Sequence, residues 1–201
     1  MDVLTTLGRT LGFSFAAGLN LYATVAVLGL ASRYGWVDLP PQYRVFDNNF
    51  VIVAALVMYA IEFIADKVPW VDTVWDGIHT AIRPLGGALI AVTTLGHASP
   101  TVEGLVAVLG GVVAASTHVT KAGTRAVANA SPEPFSNWLL SLAEDGFVLF
   151  LGFLALHYPR VTLVLCLVLL ALIAVFFVSL VRAARRWWSS KPPQTPLSAP
   201  S

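Results

Sequence analysis

The sequence has little of the charge that a water-soluble domain carries, and it contains only one cysteine. Asp, Glu, Lys and Arg make up 11% of its 201 residues, against about a quarter in soluble domains. The single Cys166 excludes an intrachain disulfide and a cluster of thiolate metal ligands. A formal net charge of +1 gives no indication of a nucleic-acid partner, and no motif predicts a cofactor.

Long apolar runs make up most of the sequence. Hydrophobic residues make up 57% of the chain, and the mean hydropathy is +0.76. Runs of about 20 apolar residues can cross a bilayer, so the sequence predicts an all-α integral membrane protein with about six transmembrane helices. The predicted spans are Leu11–Ala31, Phe50–Ala65, Pro84–Gly96, Val102–Thr117, Phe135–His157 and Val161–Val181. The expected partner is the lipid bilayer, and a homo-oligomer stays an open alternative.

Residues 1–190 would form one membrane domain, followed by a proline-rich, disordered cytoplasmic tail over residues 191–201. Basic residues predict the orientation, because cytoplasmic flanks hold an excess of Lys and Arg. The cluster Arg182, Arg185, Arg186 and Lys191 places the C-terminus in the cytoplasm. Six crossings would then place the N-terminus there as well, beside Arg9.

Residues 51–100 and 101–159 follow the same plan and predict a tandem helix-hairpin repeat. Each stretch begins with an apolar span and passes through a polar turn led by Lys67 or Lys121. Each then returns by a second span that closes on Pro100 or Pro159. Both units would cross in the same sense, as parallel repeats do.

Ionisable residues concentrate between Glu62 and Asp145, where hydrocarbon spans are expected. This stretch holds eight acids, four Lys or Arg residues and three histidines. Residues three or four positions apart lie on the same face of a helix. This spacing predicts three polar helix faces: Glu62 with Asp66; Asp72, Asp76, His79 and Arg83; and His118, Lys121 and Arg125. Because Pro84–Gly96 alone is too short to cross, we expect either a helix that begins near Val71 or a kinked or re-entrant polar segment.

Charge inside a bilayer is costly, so this cluster predicts a functional site. The structural alternative is that pairs such as Glu62–Lys121 or Asp145–Arg83 lock helices together. Eight acids against four bases leave about four carboxylates unpaired, which favours a bound proton or small cation. The candidate ligand- or ion-binding residues are Asn20, Glu62, Asp66, Lys67, Asp72, Asp76, His79, Arg83, His118, Lys121, Arg125, Glu144 and Asp145. Asn20 follows Gly18, which can break the first helix at mid-depth, although Asn20 can equally bond to a neighbouring helix.

Several of these residues together resemble one family. The matching positions are Gly18-Leu19-Asn20, Glu62, Ala65-Asp66-Lys67-Val68-Pro69, Asp72, His79, Arg83-Pro84, Gly86-Gly87, His118, Lys121, Arg125, Asn137, Ser141 and Glu144-Asp145. Over about residues 10–160 the chain resembles the domain of unknown function (DUF4126) family. The resemblance implies a multi-pass protein of the bacterial inner membrane, and it implies no substrate.

Three functions compete at this point. The first is a small transporter or channel-like protein that handles a cation or a proton-coupled solute. The second is a membrane enzyme that acts on a lipid head group, with His79 or His118 as an acid–base group and nearby bases holding phosphate. The third is a structural or assembly subunit without a ligand. No recognised phosphatase or transferase signature and no His-Glu-x-x-His metal motif occurs in the sequence, so we predict no catalytic residues and leave the metal open.

Overall fold

Helices account for nearly all of the chain that the computed structural model describes, which is residues 2–129 and 134–189. This part contains seven α-helices and no strand: α1 Val3–Leu19, α2 Leu21–Tyr34, α3 Asn49–Ala65, α4 Pro69–Leu95, α5 Pro100–Asn129, α6 Pro134–His157 and α7 Pro159–Ser189. A 3₁₀ helix, Pro41–Phe46, lies between α2 and α3. The predicted tail at 191–201 lies outside the described residues.

Proline, asparagine and glycine set the helix boundaries. Helices α4 to α7 each begin on a proline. Proline suits the first helical position because it has no backbone N–H, and an N–H at that position would have no partner within the helix. The side-chain oxygen of Asn48 accepts hydrogen bonds from the N–H groups of Phe50 and Val51 and so caps α3. Gly35, with a φ of 58°, ends α2 in the left-handed conformation that favours glycine.

Four helices, α4 to α7, are long and apolar enough to cross a membrane, and α3 is a shorter apolar helix. Their outer faces carry exposed apolar side chains, among them Leu89, Leu105 and Val164, which are each more than half exposed. These features confirm an all-α membrane protein. The pairs α3–α4 and α5–α6 contain the predicted tandem units, whose shared ancestry stays a prediction.

The first predicted span is wrong, because Leu11–Ala31 is not one helix. The backbone is extended at Asn20 (φ −149°, ψ 101°), where α1 ends and α2 begins. The Asn20 side-chain oxygen accepts a hydrogen bond of 2.9 Å from the N–H of Ala23 and caps α2. With 17 and 14 residues, the two helices are about 26 Å and 21 Å long, shorter than the hydrocarbon core of about 30 Å.

Contacts along α6 show that α2 turns back beside α1. From the middle of α6 to its end, the contacts are Asn20 with Asp145, Val27 of α2 with Gly152, and Arg9 of α1 with the Leu156 carbonyl. Both arms therefore run from Asn20 toward the same end of α6. Helices α1 and α2 form a re-entrant hairpin, and its tip at Asn20 lies about 18 Å from that end, because Asp145 precedes His157 by twelve residues.

The hairpin changes the predicted topology. Asp2 forms an ion pair with Arg160 at 2.9 Å, so the start of α1 lies beside the start of α7. Helix α7 has 31 residues and is about 46 Å long. The two ends of the described chain therefore lie at opposite ends of the bundle, whereas six complete crossings predicted that they share a side. We call these the hairpin end, with residues 2, 35–48, 96–99 and 158, and the tail end, with residues 66–68, 129 and 189.

Helix α1 occupies the centre of the bundle. All of its residues from Gly8 to Gly18 are buried. A Cβ atom at Gly18 would collide with Thr117 and with the Ala114 carbonyl, and one at Gly8 would collide with the Pro159 carbonyl. Glycine at these two positions lets α1 approach the backbones of α5 and α7 closely, as small residues do in membrane helix packing.

Cysteine accessibility tests the hairpin topology. In a Cys166→Ser background, we expect Leu4→Cys and Asp38→Cys to react with a membrane-impermeant maleimide from one side of sealed vesicles. Arg186→Cys should react only from the other side, because α7 crosses the bilayer between the two ends. Labelling of Leu4→Cys and Arg186→Cys from the same side would contradict the re-entrant hairpin.

Candidate functional site

The polar stripe of α4 is buried and faces the bundle. Asp72, Asp76, His79 and Arg83 are all buried on one continuous helix that begins at Pro69. This confirms the alternative in which α4 starts early and carries its charges inward, and it excludes a separate re-entrant segment here. The second stripe, His118, Lys121 and Arg125 of α5, is buried as well.

Glu62 of α3 joins the two stripes. Its Oε1 lies 2.8 Å from Nη2 of Arg83 and 3.4 Å from Nζ of Lys121. The predicted pair Glu62–Lys121 therefore forms. Both Glu62 and Arg83 are fully buried, so each depends on the other for compensation of its charge.

A second group of charges lies nearer the tail end. Nη2 of Arg125 lies 2.9 Å from Oδ2 of Asp66 and 2.7 Å from Oε2 of Glu144. Nη1 of Arg125 also donates to the side-chain oxygen of Asn137 at 2.9 Å. Lys121 connects this group to Glu62, since its Nζ lies 3.4 Å from Asp66 and 3.7 Å from Glu144. The charges of three bases and three acids thus compensate one another at short range: Arg83, Lys121 and Arg125 with Glu62, Asp66 and Glu144.

The same bases hold the hairpin tip. Arg83 donates to the carbonyl oxygen of Gly18 at 3.3 Å, and Lys121 donates to that of Leu19 at 3.2 Å. Thr117 donates to the carbonyl of Phe15 at 3.2 Å. The last carbonyls of a helix lack partners within the helix and carry partial negative charge. The two buried cations therefore complete the C-terminus of α1 inside the bundle, and Thr117 adds a contact one turn earlier.

Both histidines in the cluster are engaged through both ring nitrogens. Arg83 can only donate, so Nδ1 of His118 accepts its hydrogen bond of 2.7 Å, and the ring proton is on Nε2. That Nε2 donates to the Asp76 carbonyl at 3.1 Å. His79 donates from Nδ1 to the Trp75 carbonyl at 2.8 Å, and its Nε2 lies 2.9 Å from the Tyr22 hydroxyl.

Asp145 differs from the other acids of the cluster. Its Oδ1 accepts a hydrogen bond of 3.2 Å from the side-chain amide of Asn20 at the hairpin tip. Its Oδ2 is buried and has no hydrogen-bond partner, and only 7% of the residue is exposed. Within residues 2–129 and 134–189, no base lies within ion-pair distance of Asp145, so the suggested pair with Arg83 does not form.

Lys67 is the fourth base of the cluster and lies in the turn after α3. Its Nζ donates to the Phe63 carbonyl at 2.8 Å and to the Ser141 hydroxyl at 3.2 Å, above the Phe63 ring. Desolvation lowers the pKa of this amine from its ordinary value, while the Asp145 and Asp66 carboxylates act in the opposite direction.

The acid surplus is smaller than the sequence predicted. Glu103 lies at the start of α5 and accepts a hydrogen bond from the N–H of Ala98, far from the cluster at the hairpin end. Glu133 lies outside the described residues. Six acids, Glu62, Asp66, Asp72, Asp76, Glu144 and Asp145, remain against four bases, Lys67, Arg83, Lys121 and Arg125. The described surplus is therefore two negative charges, where about four were predicted.

All candidate residues predicted from the sequence lie in this one region, and their role in binding stays a prediction. Four partners escaped the sequence argument: Tyr22, Thr80, Thr117 and Asn129. Asn129 donates to Oδ2 of Asp72 at 2.8 Å. It follows Arg125 by four residues, so extending the α5 stripe by one turn would have found it. Tyr22 and Thr117 carry no comparable spacing signal.

The comparisons with known proteins agree with the resemblance seen in the sequence. The model of the domain of unknown function (DUF4126) family matches residues 7–179, and the chain belongs to this family. The match extends beyond the resemblance and into α7. Comparisons with curated proteins and with solved structures gave no match.

Two ion pairs of equal length test how much the buried network stabilises the fold. Glu62→Gln leaves Arg83 and Lys121 short of a buried partner, and such losses cost about 3–5 kcal/mol. Asp47→Asn breaks the exposed Arg33–Asp47 pair, also 2.8 Å long, for which we expect less than about 1 kcal/mol. The measurement is the free energy of unfolding in mixed micelles. Equal losses for the two variants would contradict a stabilising role for the network.

Proposed function

We propose that this multi-pass membrane protein of the DUF4126 family couples proton binding at Asp145 to the movement of a cation or a solute across the bilayer. The observation that carries the proposal is a buried carboxylate without a basic partner among the described residues, held at mid-depth by the tip of a re-entrant hairpin. Ionisable groups in this position are costly and mark proton or ion pathways by default.

The broken helix supports this proposal. Transporters place substrate and ion sites where discontinuous helices end near the bilayer midplane, because half-helix ends present partial charges there. Here the N-terminal, positive end of α2 begins beside Asp145, and Asn20 serves both as its cap and as a donor to the carboxylate. The hairpin tip is therefore sensitive to the charge on Asp145.

Protonation of Asp145 would remove the negative charge that the Asn20 amide and the end of α2 favour. A small charge change at a packed element is the usual form of a protonation switch. Asn20 at the tip acts on Asp145 through its hydrogen bond, and charges act on Asp145 from Glu62 of α3, from Asp66 directly after α3 and from Lys121 of α5. Tyr59 of α3 and Lys67 also lie within electrostatic range of Asp145.

We further propose that the tail end faces the cytoplasm of a bacterial cell. Arg182, Arg185 and Arg186 lie in the last turns of α7, and Lys67 lies in the turn at the same end. This arrangement follows the excess of basic residues on cytoplasmic flanks. The start of α1 would then lie on the outer side of the inner membrane, contrary to the expectation from six crossings.

The two alternative functions have less support. A lipid head-group enzyme needs a histidine with a ring nitrogen available to substrate, and both buried histidines use both nitrogens within the bundle. A structural subunit without a ligand accounts for the balanced group of three bases and three acids. It does not account for Asp145, which a purely structural bundle could replace with a neutral residue.

Proton flux into proteoliposomes tests the proposal. With a pH-sensitive dye inside and a potassium diffusion potential across the membrane, we expect wild-type protein to admit protons. Asp145→Asn keeps the shape and an acceptor oxygen for Asn20 but cannot take up a proton, so flux should fall by about tenfold or more. Glu103→Gln, an acid-to-amide change on α5 outside the cluster, is the matched control and should keep wild-type flux. Unchanged flux in Asp145→Asn would overturn the proposal.

A further inference from the structure

A cavity of about 160 Å³ lies between α4 and α5 at the tail end, apart from the hairpin tip. Asp72 and Asp76 of α4 line one side, and Asn129, the last residue of α5, lines the other. Since a water molecule occupies about 30 Å³ in the liquid, the space suits several waters or an ion with part of its hydration shell.

Three buried oxygen atoms of these residues have no hydrogen-bond partner within the described chain: Oδ1 of Asp72, Oδ1 of Asp76 and Oδ1 of Asn129. Of these, Oδ1 of Asp76 faces Nη1 of Arg83 at 3.4 Å, a long ion pair. Asp72 is fully buried and Asp76 is 95% buried. Leaving a buried acceptor without a partner is costly, and here three such atoms come from residues that line one cavity. Carboxylate and amide oxygens are the ligands that hard cations prefer.

The two aspartates are also the least compensated of the acids that face a base. Nη1 of Arg83 lies 3.4 Å from Asp76, and Nη1 of Arg125 lies 3.9 Å from Asp72. Both guanidinium groups make shorter contacts elsewhere, at 2.8 Å to Glu62 and at 2.7 Å to Glu144. Although Arg125 contributes to the cavity wall, its charge is therefore engaged by other acids.

We infer that this cavity binds a hydrated divalent cation of the magnesium type, with Asp72, Asp76 and the Asn129 amide oxygen as its protein ligands. In the described part of the chain, no group of three or more His, Cys, Asp or Glu residues could hold a metal ion. Water must therefore complete the coordination shell. Mg²⁺ fits this condition best, because it retains several waters and binds proteins through one or two carboxylates. Two positive charges would also compensate the carboxylates of Asp72 and Asp76, whose nearest bases lie 3.9 Å and 3.4 Å away.

Mn²⁺ serves as the spectroscopic probe for this site. Titration of purified protein in a zwitterionic detergent, followed by the electron paramagnetic resonance signal of free Mn²⁺, should show one saturable site that Mg²⁺ displaces. The double variant Asp72→Asn/Asp76→Asn should bind Mn²⁺ about tenfold or more weakly, because affinity for hard cations follows the number of charged ligands. Absence of a saturable site in wild-type protein would mean that the cavity holds water only and would overturn the inference.

A second variant, Gly77→Leu, keeps every charged residue and is designed to fill the cavity. Gly77 lines the cavity, and a Cβ atom there meets nothing within 4 Å. Gly77→Leu should therefore fold and should lose Mn²⁺ binding, which decides the question even if the double aspartate variant does not fold. Wild-type binding by Gly77→Leu would show that the ion lies elsewhere.

The site does not depend on the proposed proton coupling, and one control separates the two. Asp145→Asn should lose proton flux and keep Mn²⁺ binding, because Asp145 does not line this cavity. The variant Asp38→Asn/Glu103→Gln, which removes two carboxylates outside the cavity, should bind Mn²⁺ as wild-type protein does. Loss of binding in either variant would contradict the assignment of the site to Asp72 and Asp76.

Discussion

The interaction on which the rest of the structure depends is the capping of α1 by Arg83 and Lys121. A helix that ends inside a bilayer leaves carbonyl groups that no water can reach, and each would cost several kcal/mol if it stayed without a partner. Arg83 and Lys121 donate to the carbonyls of Gly18 and Leu19. The hairpin can therefore end at mid-depth only because α4 and α5 bring two cations to the same place.

Those cations in turn require the acids around them. Glu62, Asp66 and Glu144 lie close enough to Arg83, Lys121 and Arg125 to compensate them at short range. Much of the buried charge is thus explained as support for a broken helix. The remaining acids, Asp72, Asp76 and Asp145, lie at the edges of this balanced group, and functional chemistry is expected there because structural pairing does not use them fully.

The sequence predicted the polar faces well and the first span badly, for one physical reason. Spacing of three and four residues determines which side chains share a helix face, so the stripes on α4 and α5 could be found without knowledge of their neighbours. Hydropathy measures only whether a segment suits lipid or a protein core. Leu11–Ala31 is equally apolar as one span or as two arms of a buried hairpin, and only contacts with α4 and α6 distinguish them. The position of Glu103 along the bundle, and with it the predicted surplus of acids, could not be determined from hydropathy either, because it also depends on how the helices pack.

The burial of α1 has a consequence for biogenesis. Helix α1 is synthesised before α4, α5 and α7, yet Gly8 lies against Pro159 and Gly12 against Thr162, both at the start of α7. Its central position exists only after α4, α5 and α7 have been inserted around it. During translation the hairpin must therefore stay at the membrane surface or in a temporary position until α7 is made, although α1 and α2 precede α3 to α7 in the chain.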